Sequence, residues 1–217
     1  MDPNTFPARS GLINDLLEGQ LRQLFEKLTA PVTITCIVGR DDKSAEMAAF
    51  LNHLCILSPS LGLTLLAPGE DPGMDEALDA SLLPATCVGN RRMVFHGVPG
   101  GKEITAFASA ILTAGGAAKP LDKFTMKDIG KIKVPMDLRI CVSLACAHCS
   151  SLVTAAQRIA WENELVTAHM IDANLYPALV ERMNIQRVPM THINGTPAFP
   201  GGKTMAELTS ILARYKG

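Results

Sequence analysis

The sequence predicts an α/β protein assembled from two tandem copies of one mixed-sheet unit. Three observations predict it. Short segments recur in the same order at separations of 101 to 105 residues. Runs of β-branched residues alternate with stretches whose apolar residues fall three and four apart, so strand and helix periods take turns along the chain. Apolar residues make up 47% of the 217 and charged residues 19%, a mixture that buries a core without cross-links.

The repeats have a consistent order. Pro31-Val-Thr-Ile-Thr-Cys-Ile-Val returns as Pro135-Met-Asp-Leu-Arg-Ile-Cys-Val. Leu83-Pro84-Ala85-Thr86 returns as Val188-Pro189-Met190-Thr191, and Val98-Pro-Gly-Gly-Lys-Glu-Ile as Phe199-Pro-Gly-Gly-Lys-Thr-Met. Gly115 to Pro120 punctuates the chain between the copies.

In the first copy, Leu12, Leu16, Leu17, Leu21, Leu24 and Leu28 form a helical stripe with Ser10 as its cap. Val32 to Val38 reads as a strand. Ser44 caps a helix whose inner face is Met47, Leu51 and Leu54. Leu63 to Ala67 is the next strand, and 85–89 with 92–95 form a hairpin turning near Asn90. Pro99-Gly-Gly leads into the last helix. The second copy repeats this with strands at 136–142 and 165–171, helices at 150–161 and 174–183, a hairpin around Asn194-Gly195, and a helix at 203–215. Strand–helix–strand followed by a hairpin and a helix is the order of a thioredoxin-like domain. The prediction is therefore two tandem thioredoxin-like folds, each a mixed central sheet flanked by helices, at 1–118 and 119–217.

Composition excludes several functions. Lys and Arg number 20 against 21 Asp and Glu, a net charge of −1, so no basic excess holds a nucleic-acid backbone. Aromatic residues are 5%, which leaves few platforms for stacking bases. No cationic head precedes an apolar run at the start, and no apolar run reaches the roughly 18 residues a membrane span needs. The expectation is a cytoplasmic protein without membrane or nucleic-acid partners. Six cysteines in that setting are thiols, metal ligands or redox groups rather than a static framework.

Their spacing singles out one pair. Cys146-Ala147-His148-Cys149 follows a predicted strand and opens a predicted helix. The first turn of a helix has unpaired N–H groups and partial positive charge, which stabilise a thiolate, the reactive form of sulfur. Helical geometry brings Cys149 back beside Cys146. Cys146 is expected to attack a substrate disulfide and Cys149 to resolve the mixed disulfide. The redox-active disulfide Cys146–Cys149 is then the redox group, with no separate cofactor. His148 either adds positive charge beside the thiolate or is exposed filler. A thioredoxin-like domain has a cis proline facing the cysteines at the place of Pro189, just before a strand, with the preceding residue, here Val188, offering backbone to an extended substrate; an ordinary trans proline is the alternative. Zinc is the rival for the cysteines, but it wants four ligands in two short pairs, and the second pair is absent. No metal is expected. Cys36 and Cys141 read as core residues inside strands.

The chain resembles the N-terminal domain of the alkyl hydroperoxide reductase flavoprotein subunit, a fused pair of thioredoxin folds. The resemblance is carried by Leu24 to Val32, Lys43-Ser44-Ala45-Glu46, Thr113-Ala114-Gly115-Gly116 and Ser143-Leu144-Ala145-Cys146. It implies that only the second fold is redox-active; the matching stretch of the first, Arg40 to Ala45, has no cysteine. It implies a carboxylate as well. Thioredoxins place a buried Asp six residues before the first cysteine, where this chain has Ile140. The family uses a Glu of the first fold, in a Pro-x-Gly-x-Glu segment that matches Pro99-Gly100-Gly101-Lys102-Glu103. Thr204 stands at that place in the second copy. Glu103 is then either a proton donor and acceptor for Cys149 or an acid favoured by a helix dipole.

Two features depart from the family. Ala147-His148 stands where the family has His-Asn, which bears on potential and partner choice. No Gly-x-Gly-x-x-Gly dinucleotide segment is present. The resemblance therefore implies electrons from a separate thioredoxin-reductase-like flavoprotein, or from a longer chain of which this is a fragment. The acceptor it implies is the disulfide of a peroxiredoxin or another protein. The alternatives are a broader protein disulfide oxidase or isomerase, and a docking module without turnover.

Overall fold

The structure, a computed structural model, describes residues 2–216. In chain order its elements are α1 (Asp15–Phe25), β1 (Val32–Ile37), α2 (Asp42–Leu57), β2 (Leu61–Leu66), α3 (Pro72–Leu78), β3 (Ala85–Val88) and β4 (Met93–His96). A 3-10 turn (Gly101–Glu103) then opens α4 (Ile104–Ala114). The second half contains α5 (Lys123–Ile129), β5 (Met136–Val142), α6 (Cys149–Glu162), β6 (Val166–Asp172), α7 (Pro177–Arg182), β7 (Met190–Ile193), β8 (Thr196–Pro200) and α8 (Met205–Leu212).

All eight strands form one sheet, ordered β2-β1-β3-β4-β6-β5-β7-β8. The two halves have the same internal order and meet where β4 pairs in parallel with β6, from Met93↔Ala168 to His96↔Ile171. The break at 118/119 falls between α4 and α5, yet sheet and core run through it. β1, β2, β4, β6, β5 and β8 all point the same way. The segments that follow them, and those that precede β3 and β7, therefore emerge at one end of the sheet.

One apolar cluster spans both halves. It joins Leu21 and Phe25 of α1, Phe50 and Leu51 of α2, Phe107 and Ile111 of α4, Leu152 and Ile159 of α6, and Leu208 and Leu212 of α8. Helices α4 and α6 pack together across the break. Smaller clusters lie under α3, around Met74 and Leu78, and under α7, around Leu179 and Cys141.

A buried polar row also crosses the join. His96 Nδ1 lies 2.8 Å from the Leu82 carbonyl oxygen, His96 Nε2 2.9 Å from His169 Nδ1, and His169 Nε2 3.4 Å from Asp137 Oδ1. Arg139 donates to Asp137 at 2.9 Å and to Asp79 at 2.7 Å. Burial pushes both imidazoles down to about 3, so they are neutral at neutral pH. Two neutral rings supply two protons for three contacts. One contact must go without, and the longest, His169–Asp137, is that one. Asp137 Oδ1 accordingly has no hydrogen-bond partner.

Local structure departs from expectation where a better cap stands nearby. Asn14, not Ser10, caps α1 and accepts from the Leu17 N–H at 2.9 Å. Leu12 and Leu16 lie outside the buried stripe and are exposed. Asp41, not Ser44, caps α2; Ser44 donates its N–H to Asp41 and accepts from the Gly39 N–H. An ionised carboxylate one turn earlier outcompetes the hydroxyl for the free N–H groups. Helices α3 and α5 are not anticipated, since two turns are too short to show a period. Helix α7 starts at Pro177 rather than Asn174, because proline fits the first helical position and biases the residue before it away from helix.

Phe107 is 1% exposed and meets Phe50 and Phe95 edge-on at 5.9 and 4.9 Å between centroids. Phe107→Ala should cost about 3–5 kcal/mol of unfolding free energy. Urea denaturation should show a lower midpoint in a single transition. Separate transitions for the two halves would contradict a shared core.

Candidate active site

At the end of β5 the chain turns through Ser143–His148, with the Cys146 N–H donating to the Ser143 carbonyl at 2.9 Å. Helix α6 begins at Cys149. Cys146 thus precedes the helix by three residues instead of lying in its first turn. Its sulfur reaches the terminus by bonding to Cys149. The two are joined as a disulfide with Cα atoms 5.6 Å apart. Cys149 is fully buried and Cys146 half-buried, while Ala147 and His148 are exposed. No side chain caps α6 and no acid lies in its first turn. Its N–H groups are therefore left for the charge of a released thiolate. His148 occupies the cap position with its ring free of hydrogen bonds among the described residues.

Glu103 comes from the first half. It ends the Gly101–Glu103 turn, which packs against α6. The Lys102 N–H donates to the Leu144 carbonyl at 3.1 Å. Gly101 has φ +55°, and a Cβ there would come within 2.7 Å of the Leu144 oxygen. Only glycine lets the two loops approach so closely. Glu103 is 0% exposed, and among the described residues neither carboxyl oxygen has a hydrogen-bond partner. It stands at the N-terminal end of α4, where the helix dipole favours an acid, and makes no side-chain cap bond there. Burial, and then the charge of Asp172, pushes its carboxyl up to about 7.

The Val188–Pro189 peptide is cis, as expected, and Pro189 is buried. Met190 pairs with Cys141 in the antiparallel ladder, so Pro189 lies level with Val142 at the end of β5. The Gly201 N–H donates to the Pro189 carbonyl at 2.8 Å. Val188 stands outside the ladder, half-buried, and packs on the same core cluster as Cys146. The structure thus brings Cys146, Cys149, Glu103, Val188 and Pro189 to one end of the sheet. Among the described residues, no three His, Cys, Asp or Glu side chains gather as metal ligands.

The thioredoxin-domain family matches residues 136–213. The N-terminal domain of the alkylhydroperoxide reductase AhpF from Enterococcus faecalis (V583) is 30% identical, with a TM-score of 0.86 over 92% of this chain and 99% of that one. A structure of an AhpF mutant from the same organism is 31% identical, with a TM-score of 0.85 over 92% of this chain and 98% of that one. The chain belongs to the family of that N-terminal domain. The alkyl hydroperoxide reductase AhpF of Staphylococcus aureus (strain NCTC 8325 / PS 47) is 27% identical over 93% of this chain, and the chain spans 38% of its length.

A thioredoxin-like disulfide oxidoreductase of the AhpF family thus has its disulfide at the end of the second half. The corresponding turn of the first half is closed. Gly39 to Ser44 holds no cysteine, and Asp41 and Ser44 bond to each other where a dithiol would stand. The cis Leu83–Pro84 peptide repeats the cis Val188–Pro189 peptide. Burial pushes the Cys36 thiol up to about 12 and those of Cys55, Cys87 and Cys141 to about 11, far from the thiolate form.

Sequence reasoning missed Asp172. It closes β6 beside Val142, is 8% exposed, and accepts from the Asn174 N–H at 3.1 Å. Burial raises its carboxyl, while Asn174 and Lys43 oppose the shift. The available signal was an acid ending the apolar run 166–171. Gly97, at φ +93°, makes room for it, since a Cβ there would stand 3.3 Å from that of Asp172.

The raised Glu103 pKa has a stability consequence. Below about 4.5, folded and unfolded chains both hold the proton and no penalty arises. As pH climbs from 4.5 to about 7, only the unfolded carboxyl ionises, so stability falls, by on the order of 3 kcal/mol, and then levels off. Denaturation midpoints of oxidised protein between pH 4 and 8 should decline less steeply in Glu103→Gln than in the unsubstituted chain. Parallel profiles would show that Glu103 ionises normally.

Proposed function

We propose that the chain shuttles electron pairs as a cytoplasmic protein disulfide reductase. It accepts them from a thioredoxin-reductase-like flavoprotein and passes them to the disulfide of a peroxiredoxin or another protein. The single observation that carries this reading is the half-buried Cys146 joined to a fully buried Cys149 at an uncapped helix terminus.

In the reducing direction the dithiol is the starting form. The Cys146 thiolate attacks one sulfur of the partner's disulfide, forming a mixed disulfide and releasing a partner thiolate, which takes up a proton. Cys149 then loses its proton and attacks the Cys146 sulfur. The Cys146–Cys149 disulfide forms and the second partner thiol leaves. Two electrons and two protons pass to the partner. The flavoprotein restores the dithiol by the reverse exchange with its own dithiol.

Glu103 suits the proton step. A carboxyl with a pKa near 7 exchanges protons readily at neutral pH, and without hydrogen-bond partners its proton is uncommitted. Val188 offers unpaired backbone to the partner's extended chain, and Pro189 holds that edge against the disulfide. His148, exposed at the cap position, adds positive charge when protonated. It favours the thiolate, and with it a more oxidising couple. The same uncapped terminus supports a second reading, a protein disulfide oxidase or isomerase. Equilibration with glutathione buffers separates the two. A potential near the roughly −270 mV of thioredoxin supports the reductase, and one near the roughly −120 mV of DsbA the oxidase.

Cys146→Ser should abolish disulfide reduction in an insulin precipitation assay. Cys149→Ser should leave attack intact but block resolution, so mixed disulfides accumulate and appear on non-reducing gels. Activity retained in Cys146→Ser would overturn the assignment of the attacking sulfur.

A further inference from the structure

Three loops frame the half-buried Cys146 and its own turn. The 99–103 segment lies against Leu144 through the Lys102 N–H. The 186–189 segment ends in the cis proline beside β5. The 200–204 segment reaches the cysteine turn, where a Cβ on Gly202 would stand 3.4 Å from the His148 carbonyl oxygen.

Each framing loop carries one cation. Lys102 and Arg187 are exposed and make no ion pair among the described residues. Lys203 is held in place, with Nζ 3.1 Å from the Pro200 oxygen, 3.3 Å from the Gly202 oxygen and 5.1 Å above the Phe199 ring. The cysteine turn adds the exposed His148. The one carboxylate in these loops, Glu103, is buried. Two acids beyond them, Glu207 and Asp172, are engaged. Glu207 closes the capping box of α8 on Thr204, near Lys203. Asp172 is buried with Lys43 close by, and Lys43 itself pairs with Glu46 at 2.6 Å.

The whole chain has a net charge of −1, so this rim is a local feature and not a share of general basicity. Acidic residues beside a disulfide repel an attacking thiolate in free solution. A cationic rim around the attacking sulfur reverses that sign and raises the encounter rate.

We propose that Lys102, Arg187 and Lys203 form a docking rim that selects acceptor disulfides flanked by acidic residues. The inference rests on the reading of the chain as a disulfide reductase. It names the class of acceptor that reading leaves open, a protein segment with Asp or Glu on both sides of its disulfide.

Three synthetic disulfide peptides of equal length test it, with Glu, Ser or Lys flanking the cystine. The pre-reduced full chain is mixed with each, quenched by alkylation, and the oxidised fraction read by mass. Rates are expressed relative to the Ser-flanked peptide for the same protein. At about 20 mM salt the Glu-flanked peptide should react at least about tenfold faster than the Lys-flanked one, and the gap should fall below about threefold at 0.5 M. The Lys102→Glu, Arg187→Glu, Lys203→Glu variant should invert the order. Equal rates in the unsubstituted chain, or a preference that ignores salt, would overturn the proposal without any need of the variant. An order unchanged in the folded variant would overturn it too. Failure to reduce any of the three peptides would instead remove the reductase reading, and the inference with it.

Discussion

Parallel pairing of β4 with β6 governs the rest of the molecule, because it turns two repeated halves into one sheet with a common polarity. Had the halves met through antiparallel edges, the loop after β4 would emerge at the far end from the loop after β5. As built, both emerge together. A glutamate in the loop after β4 is thereby buried at the end of the neighbouring half, against the helix that starts at Cys149. The histidine row and the continuous apolar cluster have the same origin, since each crosses the β4–β6 join.

That constraint explains why the two copies diverge where they do. The strand frame and one cis proline persist in each half. Chemistry is divided between them. The second half contributes the cysteines, the first contributes the acid, and the second copy replaces that acid with Thr204, which serves only to cap α8. A carboxyl at Thr204 would lie at the outer edge, next to β8. Glu103 instead follows a central strand, where burial and Asp172 can lift its pKa into the neutral range. Burying a carboxyl without partners costs stability, and on the proposed reading that cost is offset by a group able to give and take a proton.

The arrangement also separates reactive from inert thiols without any change of residue type. Cys36, Cys87 and Cys141 lie inside strands, where burial raises them and outweighs the opposing charges of Arg91 on Cys87 and Arg139 on Cys141. Cys146 stands at a turn, half open, ahead of an uncapped helix. In the proposed docking mode, the cations on the loops that frame it add a long-range field to the short-range one of the N–H groups.

Sequence by itself determined the repeat, the alternation of strands and helices, and the redox pair. These are local signals. Strand β5 and the start of β7 were legible to the residue because β-branched runs and a proline bracket them, and a cysteine pair three apart has few other uses in one chain. The proposed role of Glu103 was legible only through resemblance, and Asp172 was marked only by its place at the end of a strand-like run. Its acid looks like any strand-ending polar residue until β6 is seen beside β4 and β5. Caps were misassigned at Ser10 and Ser44 because hydroxyls compete with a nearby amide or carboxylate over distances of one turn, and only the backbone path chooses between Ser10 and Asn14 or Ser44 and Asp41. Tertiary structure decided which half lends the carboxyl, which histidines meet, and which cations surround the sulfur. Those outcomes depend on strand order, and order is set by burial of the whole sheet rather than by any segment of it.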